Sequence, residues 1–203
     1  VVLLLLVALA EPLTSTGFLR NATQWKRASF GLTEFMRGRA QARPLQRYIF
    51  TEQSVTSRTH RYVGRFDQAV LHWDGGPVVD AVIERKFPTR HLPDEPRKID
   101  LFQASLYTLA LDDCGANTSG TRLVIIYCLQ REASQCVLEK RGQSCLRCGR
   151  ARVFVKRFRR GQTASTVARL NREYHDRTLR AASRPEVCRA CSYSQGQCKY
   201  SVA

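Results

Sequence analysis

A chain of 203 residues is long enough to bury one hydrophobic core, with room for at most a small appendage. Thirty-three Lys and Arg stand against 17 Asp and Glu, a net charge of +16; solubility needs far less, and an excess of this size is the footprint of a phosphate-binding surface. Charge alone does not separate a nucleic-acid partner from polyanions in general, so that separation has to come from a site.

In chain order, Val1 to Ala10 is an apolar run, about half the roughly 20 residues needed to span a bilayer. Ala8-Leu9-Ala10 fits a small-x-small cleavage pattern with no basic segment before it, so the run reads as the remnant of a signal-peptide core or the edge of a truncated chain. No membrane association is expected. Asn21-Ala-Thr23 and Asn117-Thr-Ser119 match the glycosylation acceptor pattern and keep a secreted protein as the minor alternative to an intracellular one. Residues 13 to 19 look like the entry to a first helix. Ala28 to Gln46 then carries Phe30, Leu32, Phe35 and Met36 among helix formers until Pro44 intervenes, so residues 1–47 are expected to form an N-terminal helical arm.

Tyr48-Ile-Phe50 with Ser54-Val55 predicts a short strand, and His60 to Phe66 alternates weakly. Gln68 to Trp73, then Asp74-Gly75-Gly76-Pro77, then Val78 to Lys86 is a strong hairpin pattern. That hairpin carries Asp67 and Glu84 on adjacent strands, with Lys86 two residues past Glu84 and so on the same face. Two carboxylates supply oxygen ligands for a hard divalent cation, and a lysine beside them can orient a water or offset developing phosphorane charge. The loop Pro88 to Lys98, with Arg90, His91 and Arg97, is read as a substrate-contacting lip or a solvated loop. Ile99 to Leu111 predicts an amphipathic helix, apolar at 99, 102, 106, 109 and 110, with Gln103 and Tyr107 one turn apart on a neighbouring face.

Gly64-x-x-Asp67, the strand ending Glu84-Arg85-Lys86, and Gln103-x-x-x-Tyr107 occur in the order that resembles the PD-(D/E)xK nuclease superfamily. The resemblance is to its RecB-like branch, with CRISPR-associated RecB-like exonucleases and exonuclease V. It implies an α/β restriction-endonuclease-like fold, a mixed central sheet flanked by helices over residues 48–184. It also implies Mg²⁺ or Mn²⁺ held by Asp67 and Glu84, with Lys86 as the catalytic lysine and Gln103 and Tyr107 supporting the site. The expected activity is hydrolysis of DNA as an exonuclease on single-stranded or free ends; the alternative is an inactive nuclease-fold protein that binds nucleic acid. The family takes a histidine from an early helix, where this chain reads Arg37-Gly38-Arg39-Ala40-Gln41, so Glu34 and Gln41 are the replacements considered. His60 reads as a surface residue at a strand start.

Thr121 to Leu129 is a near-continuous apolar run expected of a buried central strand, with Arg152 to Phe158 as its partner. Gln130 to Arg150 reads as a polar excursion outside the core. Thr163 to Ala182 reads as a long helix, and Lys156, Arg157, Arg159 and Arg160 precede it in the densest basic region, proposed to guide a nucleic-acid strand. Eight cysteines all follow the nuclease-like motifs, which does not suit a disulfide scaffold. Cys188, Cys191 and Cys198, in residues 185–203, resemble the C-terminal triad that holds a [4Fe-4S] cluster in iron-sulfur RecB-like nucleases. Cys145 and Cys148 either supply a missing fourth ligand or join Cys188 and Cys191 in a four-cysteine zinc site. Cys128 reads as core.

Overall fold

The computed structural model describes residues 21–139 and 145–175. They belong to two compact units, one ending at Thr163 and one beginning at Ala164. The first is an α/β unit on a curled, mixed six-stranded sheet ordered β1-β2-β3-β4-β5-β6 and flanked by helices. Its strands are β1 (Lys26–Arg27), β2 (Tyr48–Ser57), β3 (Tyr62–Trp73), β4 (Pro77–Lys86), β5 (Arg122–Tyr127) and β6 (Arg152–Arg157). β1 with β2 and β4 with β5 pair parallel, and the other neighbours pair antiparallel.

Local chemistry accounts for this order. The β3–β4 turn closes where the Asp74 N–H donates to the Gly76 carbonyl at 2.9 Å, with Gly75 at φ 63, a conformation glycine adopts at no steric cost. β4 and β5 are parallel because a crossover helix, α2 (Lys98–Asp113), joins them, as parallel neighbours require. Both are apolar on both faces, with Val79, Ala81, Val82, Ile83 and Leu123 to Tyr127 all buried. One face packs Val70, Ala81, Ile83, Val124 and Ile126 against Trp25, and Cys145, Leu146 and Ala151 cover it. The other face receives α2.

Several expectations are corrected. The helix expected over 28–46 shrinks to α1 (Leu32–Met36). It is stopped at Gly38, φ 66, whose N–H goes to the Phe35 carbonyl at 3.0 Å while that of Arg39 goes to Glu34 at 2.9 Å, a glycine-based helix stop. Phe35 fixes this helix by ring contacts to Tyr48, Phe50 and Trp73. The short strand expected from Tyr48-Ile-Phe50 with Ser54-Val55 is present and runs to Ser57 as β2, and the excursion after β5 contains a helix, α3 (Gln130–Leu138), and a 3₁₀ turn, Cys145–Arg147. The long helix begins earlier than expected, as α4 (Arg160–His175). Its continuation to 182, the helix entry at 13–19 and the cysteine segment 185–203 lie outside the described residues. Among the described residues no helix is long and apolar enough to cross a membrane.

α2 matches its expected face in part. Leu109 and Ala110 are buried as expected, but Ile99 is 67% exposed, and Asp100, Ala104, Tyr107, Thr108 and Leu111 are buried as well, a stripe at i, i+4, i+7 carrying polar groups. The sheet beneath presents Glu84 and Lys86, and buried polar groups must find partners, so the polar side of the helix is the one that packs.

Gly64 and Asp67 are three residues apart, an odd separation that would place them on opposite faces of an unbroken strand. Both serve the α2 face. The β2–β3 ladder runs from Thr51 opposite Gln68 to Gln53 opposite Phe66 without a Glu52–Asp67 rung, and Glu52 sits at φ 53. Burial in β2 changes phase there, from Tyr48 and Phe50 to Val55 and Ser57. This break brings Gly64 beneath Tyr107, where an added Cβ would lie 2.6 Å from Tyr107 Cε1. Gly64→Ala is therefore expected to destabilise by about 1–3 kcal/mol through overpacking. Gly120→Ala, with nothing within 4 Å, is the control. Thermal melts check this, and equal Tm for the two variants would refute the close approach.

Candidate active site

β3 contributes Asp67, the end of β4 contributes Glu84 and Lys86, and α2 contributes Asp100, Gln103 and Tyr107. Gln68 pairs with Ile83 in the β3–β4 ladder, so Asp67 and Glu84 are the next positions along, side by side on the α2 face. There the regular ladder gives way: the Arg85 N–H donates to Asp67 Oδ2 at 2.7 Å. Lys86 Nζ lies 2.7 Å from Glu84 Oε1, donates to Gln103 Oε1 at 2.7 Å, and stands 3.8 Å from Asp100 Oδ1. Gln103 Nε2 in turn donates to the Tyr107 hydroxyl at 2.7 Å. Glu84, Lys86, Gln103 and Tyr107 form one connected chain of contacts, and Asp67 joins it through the N–H of Arg85, the residue between Glu84 and Lys86.

The electrostatics are uneven. The Glu84 side chain is 4% exposed and that of Lys86 27%, with Asp67 at 26%, so Glu84 is the closed member of the group while Asp67 and Lys86 both reach solvent. Burial pushes the Glu84 carboxyl up; the Lys86 hydrogen bond opposes this and the Asp67 charge adds to it, leaving the group above the usual carboxylate range. Burial pulls Lys86 down, but the hydrogen bond and charge of Glu84, with Asp100 and Asp67 behind it, raise the ammonium above its ordinary value. Burial likewise raises Tyr107.

The sequence missed Asp100 and Tyr127. The Tyr127 hydroxyl donates to Asp100 Oδ2 at 2.6 Å and accepts the Arg97 N–H at 3.0 Å; burial and the Asp100 contact push this phenol up to about 12. Asp100, Gln103 and Tyr107 follow i, i+3, i+7, a spacing that already places Asp100 on the site's side of the helix. Arg85 and Glu52 were missed as well. Arg85 Nη2 is 3.7 Å from Glu52 and its Nε is 3.9 Å from Asp67.

Other expected residues lie elsewhere. Glu34 caps its own helix, accepting the Gly31 N–H at 3.1 Å, and Gln41 is exposed in the loop after α1; neither bonds to the acids. His60 sits in the β2–β3 turn, its N–H held by Ser57 Oγ at 3.0 Å. Lys156 and Arg157 are exposed on β6, and Arg160 pairs with Asp112 at 2.6 Å. Glu84 aligns with Ile125 and Phe154, whereas Arg157 pairs with Arg122, so Arg157 lies two strands over and three positions along from Glu84, about 10 Å along the strand at roughly 3.3 Å per residue. Cys128 is buried, and Cys145 and Cys148 flank the 3₁₀ turn. Cys188, Cys191 and Cys198 lie outside the described residues.

Among the described residues no group of three or more His, Cys, Asp or Glu side chains is arranged to hold a metal ion. The Asp67–Glu84 pair nonetheless fits Mg²⁺ or Mn²⁺: Glu84 Oε2 is buried with no hydrogen-bond partner, an arrangement that costs free energy unless something fills the lone pair. A hard cation that keeps several waters needs only one or two protein carboxylates beside substrate phosphates.

A pH-linked consequence follows from Glu84. Its pKa is raised in the folded state, so its favourable contribution is full below the unfolded value and is lost as pH rises through the folded value. At neutral pH the buried carboxylate is a cost. Glu84→Gln removes this titration and, although it strips Lys86 of its charged partner, is therefore expected to gain in Tm relative to the parent protein as pH rises from about 4 to about 7. A Tm difference that stays constant over this range would contradict this. No protein-family model and no curated protein matches the chain, so the chemistry of this group is judged on its own geometry.

Proposed function

We propose that the α/β unit is a restriction-endonuclease-like domain that hydrolyses DNA phosphodiester bonds, acting as an intracellular exonuclease on single-stranded or free ends. Asp67 and Glu84 would hold Mg²⁺ or Mn²⁺. The observation that carries this reading is the buried, unpartnered Glu84 Oε2 beside Asp67, with a lysine fixed on the same face. When bound, such an ion polarises a phosphoryl oxygen and acidifies a water.

The chain's own residues set the rest. Asp67 and Lys86, the two members that reach solvent, face the approach of a phosphate, with the Arg85 guanidinium beside Asp67. Lys86, kept protonated by Glu84 and Asp100, places positive charge where negative charge grows in the transition state. Gln103 fixes the Lys86 ammonium, and Tyr107 fixes Gln103, so the charge is held in place before the reaction and little reorganisation is needed. The excess of basic residues supplies sequence-independent attraction to the phosphate backbone. The C-terminal triad Cys188, Cys191 and Cys198 is assigned to a separate structural [4Fe-4S] cluster or zinc site.

A second reading, a nuclease-fold protein that binds nucleic acid without cutting it, is favoured by one observation: the Lys86 ammonium already occupies Glu84 Oε1 at 2.7 Å. One assay separates the two: labelled single-stranded and duplex DNA, with and without Mg²⁺ or Mn²⁺. Glu84→Ala and Lys86→Ala are each expected to lower cleavage by about 10²–10³ while leaving DNA affinity largely intact. Unchanged turnover in both variants sinks the assigned site, and binding without metal-dependent cleavage in the parent protein establishes the second reading.

Affinity is also expected to fall with salt, at a slope of about −0.7 per phosphate neutralised on single strands. Replacing Arg157, Arg159 and Arg160 together should flatten that slope. An unchanged slope would mark the tract as a solvated face remote from the bound strand.

A further inference from the structure

Two of the large apolar side chains left in water border the acid end of the sheet. Phe87, 48% exposed, is the first residue past Lys86 at the end of β4. Ile99, 67% exposed, directly precedes Asp100 in the first turn of α2. Lys86 and Asp100 stand 3.8 Å apart, so the chain brings both apolar residues to the rim of the candidate site. Among the described residues, Phe87 is the one aromatic ring in the set of exposed large apolar side chains.

Singly exposed apolar residues are ordinary on protein surfaces, and what distinguishes this pair is the loop between them. Residues 88–98 carry Arg90, Arg97 and Lys98, all exposed. The acids of the loop are Asp94 and Glu95, and Asp94 is paired with Arg152. The loop is tethered at its start, middle and end. The Gln130 N–H donates to the Pro88 carbonyl at 3.0 Å, the Arg152 guanidinium to the Pro93 carbonyl at 3.1 Å, and the Arg97 N–H to the Tyr127 hydroxyl at 3.0 Å. These anchors come from α3, β6 and β5, and they fix the backbone while leaving the cationic side chains in water. A rim that is already ordered loses little freedom when a ligand settles on it.

We propose that Phe87 is a stacking platform for an unpaired base of single-stranded DNA, with Ile99 packing beside it and Arg90, Arg97 and Lys98 meeting the backbone phosphates. Aromatic rings set among cations are how proteins hold single strands, because every base has a π-face and every nucleotide a phosphate. In a duplex the base faces are already stacked on one another, so the ring selects for a single strand where the cations do not. Phe87 adjoins Lys86 in the chain, which places the stacked base in a nucleotide at or next to the phosphate that the acids would address. The proposal deepens the nuclease reading and rests on it for the identity of the ligand.

The test measures binding of the full chain in a chelator, so that it does not depend on cleavage, with a labelled single strand and a duplex of the same length. Phe87→Ala is expected to weaken single-strand binding by about 5- to 150-fold, with duplex binding and the salt slope unchanged and with Phe87→Trp restoring affinity. Arg90→Ala/Arg97→Ala is expected to lower the slope instead. Should Phe87→Ala also lower Tm, Phe87→Leu decides, since it keeps the apolar bulk without the ring and has to show the same loss. A parent protein that binds no single strand, unchanged single-strand affinity in Phe87→Ala, equal losses on single strand and duplex, or no recovery in Phe87→Trp each overturns the proposal. Failure of the nuclease reading looks different: the parent protein would bind single strands through the ring and yet show no metal-dependent cleavage.

Discussion

The Lys86 ammonium is the interaction on which the rest of the first unit's α2 face depends. It meets the Glu84 carboxylate and Gln103 at 2.7 Å each with Asp100 at 3.8 Å, one cation among two acids and an amide beneath a helix. Removing any one partner leaves a charge or an oxygen buried without compensation, which costs more than the pair contributes when intact. This explains why α2 turns Asp100 and Tyr107 toward the sheet and leaves Ile99 in water: an apolar stripe over Glu84 would strand a carboxylate. Tyr127 extends the same logic to β5, since its hydroxyl holds Asp100 in place while its ring fills the core.

The broken rung between β2 and β3 makes the group possible. A regular strand gives every second residue to one face, so a glycine clearing space for Tyr107 and an acid three residues later could not both serve α2. The cost falls on Glu52, whose φ of 53 is a sparsely populated conformation for a non-glycine residue. Its carboxylate finds Arg65 at 3.1 Å and Arg85 at 3.7 Å, so the displaced acid is paired where it lands.

The hairpin and the buried central strand were legible because their signals are local: a glycine pair between alternating runs, and a near-continuous apolar run. The grouping of Glu84 with Lys86 and of Gln103 with Tyr107 was legible for the same reason, since the first pair share a strand face by period and the second a helix face by turn. What could not be read depended on long-range contacts. Ala28 to Gln46 has helical composition, but Gly38 lies against the Trp73 ring, where a Cβ would meet Cη2 at 2.9 Å, and only the folded sheet brings Trp73 there. The first turns of α2 were misread, although Leu109 and Ala110 are buried as expected, because hydrophobic periodicity assumes an apolar surface beneath the helix, and there that surface is charged. Glu34 was considered for the site on spacing alone, yet a carboxylate three residues into a helix is taken by the nearest free N–H, that of Gly31.

The two faces of the sheet divide the work. Around Trp25 the buried side chains are apolar and close-packed, a face whose burial stabilises without conditions of pH or ligand. Beneath α2 the same strands carry ionised groups whose desolvation opposes folding, and Glu84 Oε2 has no compensating hydrogen bond. A well-packed hydrophobic replacement for such a network is often neutral or stabilising, so stability alone does not account for the acids. The strands that bear the cost, β3, β4 and β5, are also those whose opposite face builds the Trp25 core through Val70, Ala81, Ile83, Val124 and Ile126. The apolar face thus holds in register the backbone that keeps Asp67, Glu84 and Lys86 together, and the charged face can carry the uncompensated Glu84 Oε2 without loss of register.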